Sequence, residues 1–239
     1  MSTIVLSLGG SILMPGLDSP NIKPYIPVLE KIASIHRLFV VVGGGGEARR
    51  YITVARSLGV DDASADELGI LVTRLNATLL VQALKDSAWP KVVENHTEAL
   101  AAAESGKIVV MGGVTPGQTT DAVAAVLAER SRASVFFNLT SVDGIYSADP
   151  RSDPSAERYE MITPSKLLEI VVHQQAAAGM NTVMDVVAVK MVERCGIPLI
   201  VFDGRDPAAL LTAVETGICR GTVVSKAGVS PLPLSQPKV

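Results

Sequence analysis

Short apolar runs alternate with stretches of helical periodicity along nearly the whole chain. Residues 3–8 (TIVLSL) read as a strand that stops at Gly9-Gly10. Over 22–36, Ile22, Ile26, Leu29, Ile32 and Ala33 share one helical face. The run 38–42 (LFVVV) is apolar throughout, as a strand buried on both faces is, and Gly43 to Gly46 ends it. Helical spacing resumes over 47–58. A long helix is expected over 66–84, where Leu68, Val72, Leu75 and Leu79 are spaced by four, three and four. Strands are expected at 91–94 and 107–111, with an alanine-rich helix around 97–104 between them. The rest reads as helix 120–130, strand 134–138, helices 164–172 and 186–195, strand 198–202, helix 207–214 and a last strand at 222–225. Such alternation calls for parallel strands joined by crossover helices, so the fold class is α/β.

Length and composition narrow this further. The 239 residues allow one large domain or two small ones, and no Pro/Gly/Ser linker divides them. The segment 143–160, polar and with Pro150 and Pro154, reads as a surface excursion. Residues 231–239, with three prolines, read as a loose tail. Hydrophobic residues make up 48% of the chain and charged ones 19%, which excludes global disorder. Cys195 and Cys219 are too few for a disulfide scaffold. His36, His96 and His173 are scattered, no CxxC exists, and no protein metal site is expected. A net charge of −3 and a pI near 5.7 argue against a nucleic-acid partner held by a basic face. The N-terminus lacks the basic region of a secretory signal, and no uninterrupted apolar run reaches the ~18–20 residues that span a bilayer. A cytoplasmic location without a membrane partner is the expectation.

Candidate chemistry lies in three glycine-rich turns, each after an expected strand: Gly9-Gly10-Ser11, Gly43 to Gly46, and Gly112-Gly113-Val114-Thr115-Pro116-Gly117. Ligands of open α/β sheets bind at the carboxyl ends of parallel strands. Glycine lets backbone N–H groups approach anionic oxygens, and a following helix adds its positive dipole end. One such turn is ordinary turn chemistry; three on one set of strand ends point to a phosphate-rich ligand. The P-loop pattern GxxxxGK[ST] is missing. Gly43-x-Gly45-x-x-Ala48 matches the dinucleotide fingerprint loosely, but no acidic residue ends a following strand. Gly117-Gln118-Thr119-Thr120-Asp121 opens a helix with more hydroxyl and carboxyl groups than one N-cap needs. Thr140-Ser141, the Asp143-Gly144 turn, Tyr146 and Asp149 together suit a base and a ribose.

On these loops the sequence resembles the amino-acid kinase superfamily, and within it the UMP kinases of the archaeal type. The motifs are LSLGGSIL at 6–13, VVVGGGGEARRYI at 40–52, TRLNATLL at 73–80, VMGGVTPGQTTDAVAA at 110–125 and LTSVDGIYSADPRSDPSA at 139–156, in order over about 3–225. The resemblance implies a three-layer αβα sandwich around a mostly parallel central sheet, as one domain over 1–228 with an acceptor side near 1–130, an ATP side near 131–228 and a tail at 229–239. It implies transfer of the γ-phosphoryl of ATP to UMP with Mg²⁺, and a homohexamer built from dimers. By position, Gly10, Ser11, Gly45, Arg49, Thr140, Ser141, Tyr146 and Asp149 should meet ATP. Gly44, Asp66 and residues Val114, Thr115, Pro116, Gly117, Gln118, Thr119 and Thr120 should meet UMP. Gly10, Arg49 and Asp121 should be catalytic. Phosphoryl transfer needs alignment and charge neutralisation more than a nucleophilic side chain, and this set of groups offers both.

Three departures stand out. The first motif, Ser7-Leu8-Gly9-Gly10-Ser11, has no lysine where many superfamily members carry one, which leaves Arg49 or Lys190 as the candidate cation. Ser141 stands where asparagine is usual. The tail after Ser225 exceeds the resemblance. Two other readings share these motifs: a sister kinase with another acceptor, and a nucleotide-binding protein that stores molybdenum or tungsten oxometalate.

Overall fold

The computed structural model describes residues 1–150, 153–176 and 184–234. Strand β1 (Thr3–Leu8) leads into one helical turn, α1 (Gly10–Leu13), then α2 (Tyr25–Ala33) and β2 (Arg37–Val42). Helices α3 (Gly45–Ser57) and α4 (Asp62–Leu84) follow, then α5 (His96–Ala103), β3 (Val109–Met111), α6 (Thr120–Arg130) and β4 (Val135–Thr140). The second half holds β5 (Met161–Ile162), α7 (Pro164–Ala176), α8 (Val186–Cys195), β6 (Leu199–Asp203), α9 (Pro207–Thr216) and β7 (Thr222–Val224).

The strands form one sheet in the order β3-β2-β1-β4-β6-β7-β5. The pairs from β3 through β6 are parallel, and β7 runs antiparallel to β6. Alternation along each strand divides the core. Ile4, Leu6, Leu8, Val40, Val42, Phe137 and Leu139 pack against α2, α4 and α9. Val5, Phe39, Val41 and Phe136 pack against α5, α6, α7 and α8. Helices thus cover both faces of a mostly parallel sheet, in the expected αβα layering, and strands buried on both sides are apolar on both sides.

The chain builds outward from β1 to β2 and β3, then returns to β1's other flank with β4. That reversal is the topological switch point, where open α/β sheets leave a crevice at the strands' carboxyl ends.

Most expected elements form within a few residues of their expected bounds. The strand at 91–94 does not: Val93 makes a single bridge to Met111 and Ala88 another to Ile108. Pro90, between them, has no N–H to donate to a ladder. The apolar stripe of α4 also lies differently from a core-facing stripe. Leu68, Leu71, Leu75 and Leu79 are exposed, while Ala65, Gly69, Thr73, Asn76, Ala77 and Leu80 face inward. Within the expected tail, Leu234 is buried and its amide donates to the Val214 carbonyl at 3.1 Å. The rest of that tail, 235–239, lies outside the described residues, as do 151–152 of the excursion.

Candidate functional site

A cleft of about 480 Å³ opens at the carboxyl ends of β1, β2 and β4. The turns after β1 and β2 meet there, backbone on backbone. A Cβ on Gly10 would lie 2.1 Å from the Gly45 amide nitrogen and 2.5 Å from the Gly43 carbonyl oxygen, so only glycine fits. Gly45 opens α3 at φ +66°, a conformation side chains disfavour. This contact places the two glycine loops side by side.

Arg49 stands at the cleft wall one turn into α3, with its side chain exposed. Its neighbour Arg50 is instead paired with Glu47 at 2.7 Å. Across the cleft, Asp61 caps α4 by accepting from the Ser64 amide at 3.0 Å. Asp66, one turn on, accepts from the Gly117 amide at 2.8 Å and so ties the third glycine turn to α4.

The cleft floor is a polar cluster inside the sheet. Ser7 of β1 and Asn138 of β4 are cross-strand partners in register, both buried. The Ser7 hydroxyl donates to Asp121 Oδ1 at 2.7 Å, and Asn138 Nδ2 reaches Oδ2 at 3.5 Å. Burial pushes the Asp121 carboxyl above the usual carboxylate range; the Ser7 bond opposes this, the charge of Asp185 adds to it, and the Asn138 bond opposes it again. Thr119 caps α6 by accepting from the Ala122 amide at 3.3 Å, and its hydroxyl donates to Asp185 Oδ2 at 2.7 Å. Asp185 itself caps α8. The starts of α6 and α8 are therefore joined beside the floor.

Of the residues singled out from sequence, the cleft gathers Gly10, Ser11, Gly44, Gly45, Arg49, Asp66, Thr115, Gly117, Gln118, Thr119, Thr120, Asp121 and Thr140. Val114 does not line the cleft; it is half-buried and packs against the core on the sheet face that carries α5 to α8. Pro116 is half-buried in the turn before Gly117 and does not line the cleft. Ser141, Tyr146 and Asp149 lie in the loop after β4 and do not line the cleft. In that loop the Tyr146 hydroxyl donates to Asp143 at 2.9 Å, and the Asp149 carbonyl accepts from the Asp153 amide at 2.9 Å. Lys190 is exposed on α8. The cleft also holds residues that sequence reasoning passed over: Ile52, Gly69, Ile70, Thr73 and Asn138. A signal for Asn138 existed, since a polar residue interrupts the apolar strand VFFNLT just as Ser7 interrupts TIVLSL. Among the described residues no three His, Cys, Asp or Glu side chains converge as metal ligands.

The sequence profile of the amino acid kinase family matches residues 2–203. A protein named uridylate kinase from Methanospirillum hungatei is 68% identical over 236 residues, which cover 99% of this chain and 100% of that one. A uridylate kinase from Methanoculleus marisnigri is 60% identical over 233 residues, covering 98% and 100%. The crystal structure of uridylate kinase from Archaeoglobus fulgidus superposes with a TM-score of 0.83 at 44% identity, covering 94% of this chain and 100% of that one.

Proposed function

This chain belongs to the amino acid kinase family, and from that premise we propose how its cleft passes the γ-phosphoryl of ATP to UMP. The chain is a nucleoside monophosphate kinase of the uridylate kinase kind, yielding UDP and ADP. The carrying observation is the interlock of Gly10 with Gly43 and Gly45 at the switch point of the sheet. It gives two phosphate cradles that share a border, one from the turn after β1 and one from the turn after β2. Two phosphate chains laid in them meet head to head, which is the alignment that phosphoryl transfer needs.

In this reading Gly10, Ser11, Gly45 and Arg49 hold the ATP phosphates, and Thr140, Ser141, Tyr146 and Asp149 hold its nucleoside. Gly44, Asp66 and the turn 114–120 hold UMP. Arg49 supplies a guanidinium for charge that spreads over phosphoryl oxygens. Magnesium neutralises the phosphates when bound. Asp121 on the cleft floor is the carboxylate that would face the ion, whose charge would offset that of the phosphates. The outward leucines of α4, with Leu71 58% and Leu75 61% exposed, support assembly through that helix into the dimers of a hexamer.

The test is ADP release measured with ATP and Mg²⁺ against UMP, CMP, dTMP and AMP. Release with UMP and little with AMP is the expected result. Silence with UMP and release with another acceptor overturns the assignment.

A further inference from the structure

We propose that Thr73 and Arg74 are positioning residues, whose joint grip on the Gly113 peptide sets the affinity for UMP, with Asn76 holding the neighbouring loop. The inference rests on the reading of this side of the cleft as the UMP site.

Helix α4 is turned against its own hydropathy. Its leucines at 68, 71, 75 and 79 point to solvent, while the face toward the cleft carries Asp66, Thr73 and Asn76. These three are seven and three residues apart, and so lie on one side of the helix. Thr73 is 7% exposed and Asn76 5%. Buried polar groups must find partners, and here the partners are backbone groups of the glycine loops. The Gly113 amide donates to Thr73 Oγ1 at 2.6 Å, and Arg74 Nε donates to the Gly113 carbonyl at 3.2 Å. Both polar groups of one loop residue are thus held by consecutive helix residues. Thr73 is itself fixed, since its hydroxyl donates to the Ile70 carbonyl at 2.6 Å. Arg74 is steadied by Glu94 at 2.8 Å. Asn76 Nδ2 donates to the Gly43 carbonyl at 3.0 Å and the Gly44 carbonyl at 3.3 Å.

The fit leaves no slack. A Cβ on Gly112 would lie 2.6 Å from Thr73 Oγ1 and 2.9 Å from the Arg74 amide nitrogen. One helix therefore spaces the loop after β2 from the loop after β3, at a rise of ~1.5 Å per residue. A nucleotide that reaches from one loop to the other is measured by that spacing. ATP, held by Gly10, Ser11, Gly45 and Arg49, does not reach the loop after β3 and is not.

Calorimetric binding of UMP and of ATP to the full chain separates these roles. Thr73→Val keeps the shape and removes the hydroxyl. It is expected to weaken UMP by about 10- to 100-fold, the scale of one buried amide left without a partner. ATP affinity should stay within about twofold, and Thr73→Ser should restore UMP binding to within about threefold, because its hydroxyl returns. Undiminished UMP binding by Thr73→Val overturns the proposal, as does equal loss of UMP and ATP. Should Thr73→Val fail to fold, Arg74→Met removes the donor to the Gly113 carbonyl, together with the ion pair to Glu94. A loss of about 3- to 10-fold for UMP alone supports the proposal, and no loss overturns it. Wild type that binds ATP but not UMP overturns the functional reading instead.

Discussion

Asp66 has two tasks available to it, and they can be separated. One carboxylate oxygen takes the Gly117 amide at 2.8 Å, which leaves the other for a ligand. A vicinal ribose diol suits a carboxylate, and charge-assisted bonds are stronger than neutral ones. Asp66→Ala is expected to weaken UMP by ~1–3 kcal/mol. Wild type should prefer UMP over dUMP, and the variant should lose most of that preference, read from KM for both nucleotides. An unchanged preference ratio means that Asp66 serves only the Gly117 turn. Arg49 makes a different prediction. A cation that follows charge developing on the phosphoryl group acts on kcat, so Arg49→Ala should lower kcat more than it raises KM for UMP. A folded variant with full kcat removes Arg49 from the chemistry. Asp121 was legible as part of a threonine-rich helix start, but its setting was not. Its partners Ser7 and Asn138 come from strands 131 residues apart in sequence, and only the β1–β4 register brings them together.

At the scale of elements, the strands were read well for a simple reason. LFVVV and VFFNLT lie between two helical layers, so nearly every position had to be apolar. The two-residue β5 and the single turn α1 carry too few residues for any period to show. Helix α4 was found by its leucine spacing, but that spacing pointed away from the sheet. Periodicity marks a face without saying what covers it, and the polar residues at 66, 73 and 76 were the better guide to the cleft. Helix caps were legible one at a time; their linkage was not. Asp185 caps α8 and also accepts from Thr119, which caps α6. Asp185→Ala therefore removes a cap and strands the Thr119 hydroxyl. The expected cost is ~0.5–2 kcal/mol in urea unfolding for the lost cap. Thr119→Val loses the same link from its other end, so the double variant should cost less than the sum of the two. Strict additivity would mean that the two helix starts are independent.

For the molecule as a whole, the pH dependence of stability follows from groups that resist charging. His36 is 4% exposed, and burial holds its imidazole below the ordinary value, with the N-terminal ammonium adding to the effect. His96 is held below it as well, first by burial, against the opposing bond to the Val123 carbonyl, with Arg130 adding. For both, the unfolded chain takes up protons at a higher pH than the folded one does. Stability is therefore fully present above the unfolded value of about 6.5 and falls as pH drops from there to the depressed folded values. Asp121 has the opposite sign. Its folded value is raised, so its ionisation costs stability as pH climbs from the ordinary carboxylate value to the folded one. The melting temperature should accordingly be flat from pH 8 to 7 and fall below about 6.5. His36 is the group to change, because among the described residues its Nδ1 has no hydrogen-bond partner, and most of its neighbours are apolar (Ile32, Ile35, Leu211, Val214 and Leu234), with Lys31 and Glu215 beside them. Leucine there forfeits no bond at that nitrogen and cannot be protonated. His36→Leu should be at least as stable as wild type at pH 7.5 and lose less stability on acidification. Melting curves of both proteins from pH 8 to 5 check this, and parallel falls would assign the acid sensitivity to His96 and leave His36 a passive core group.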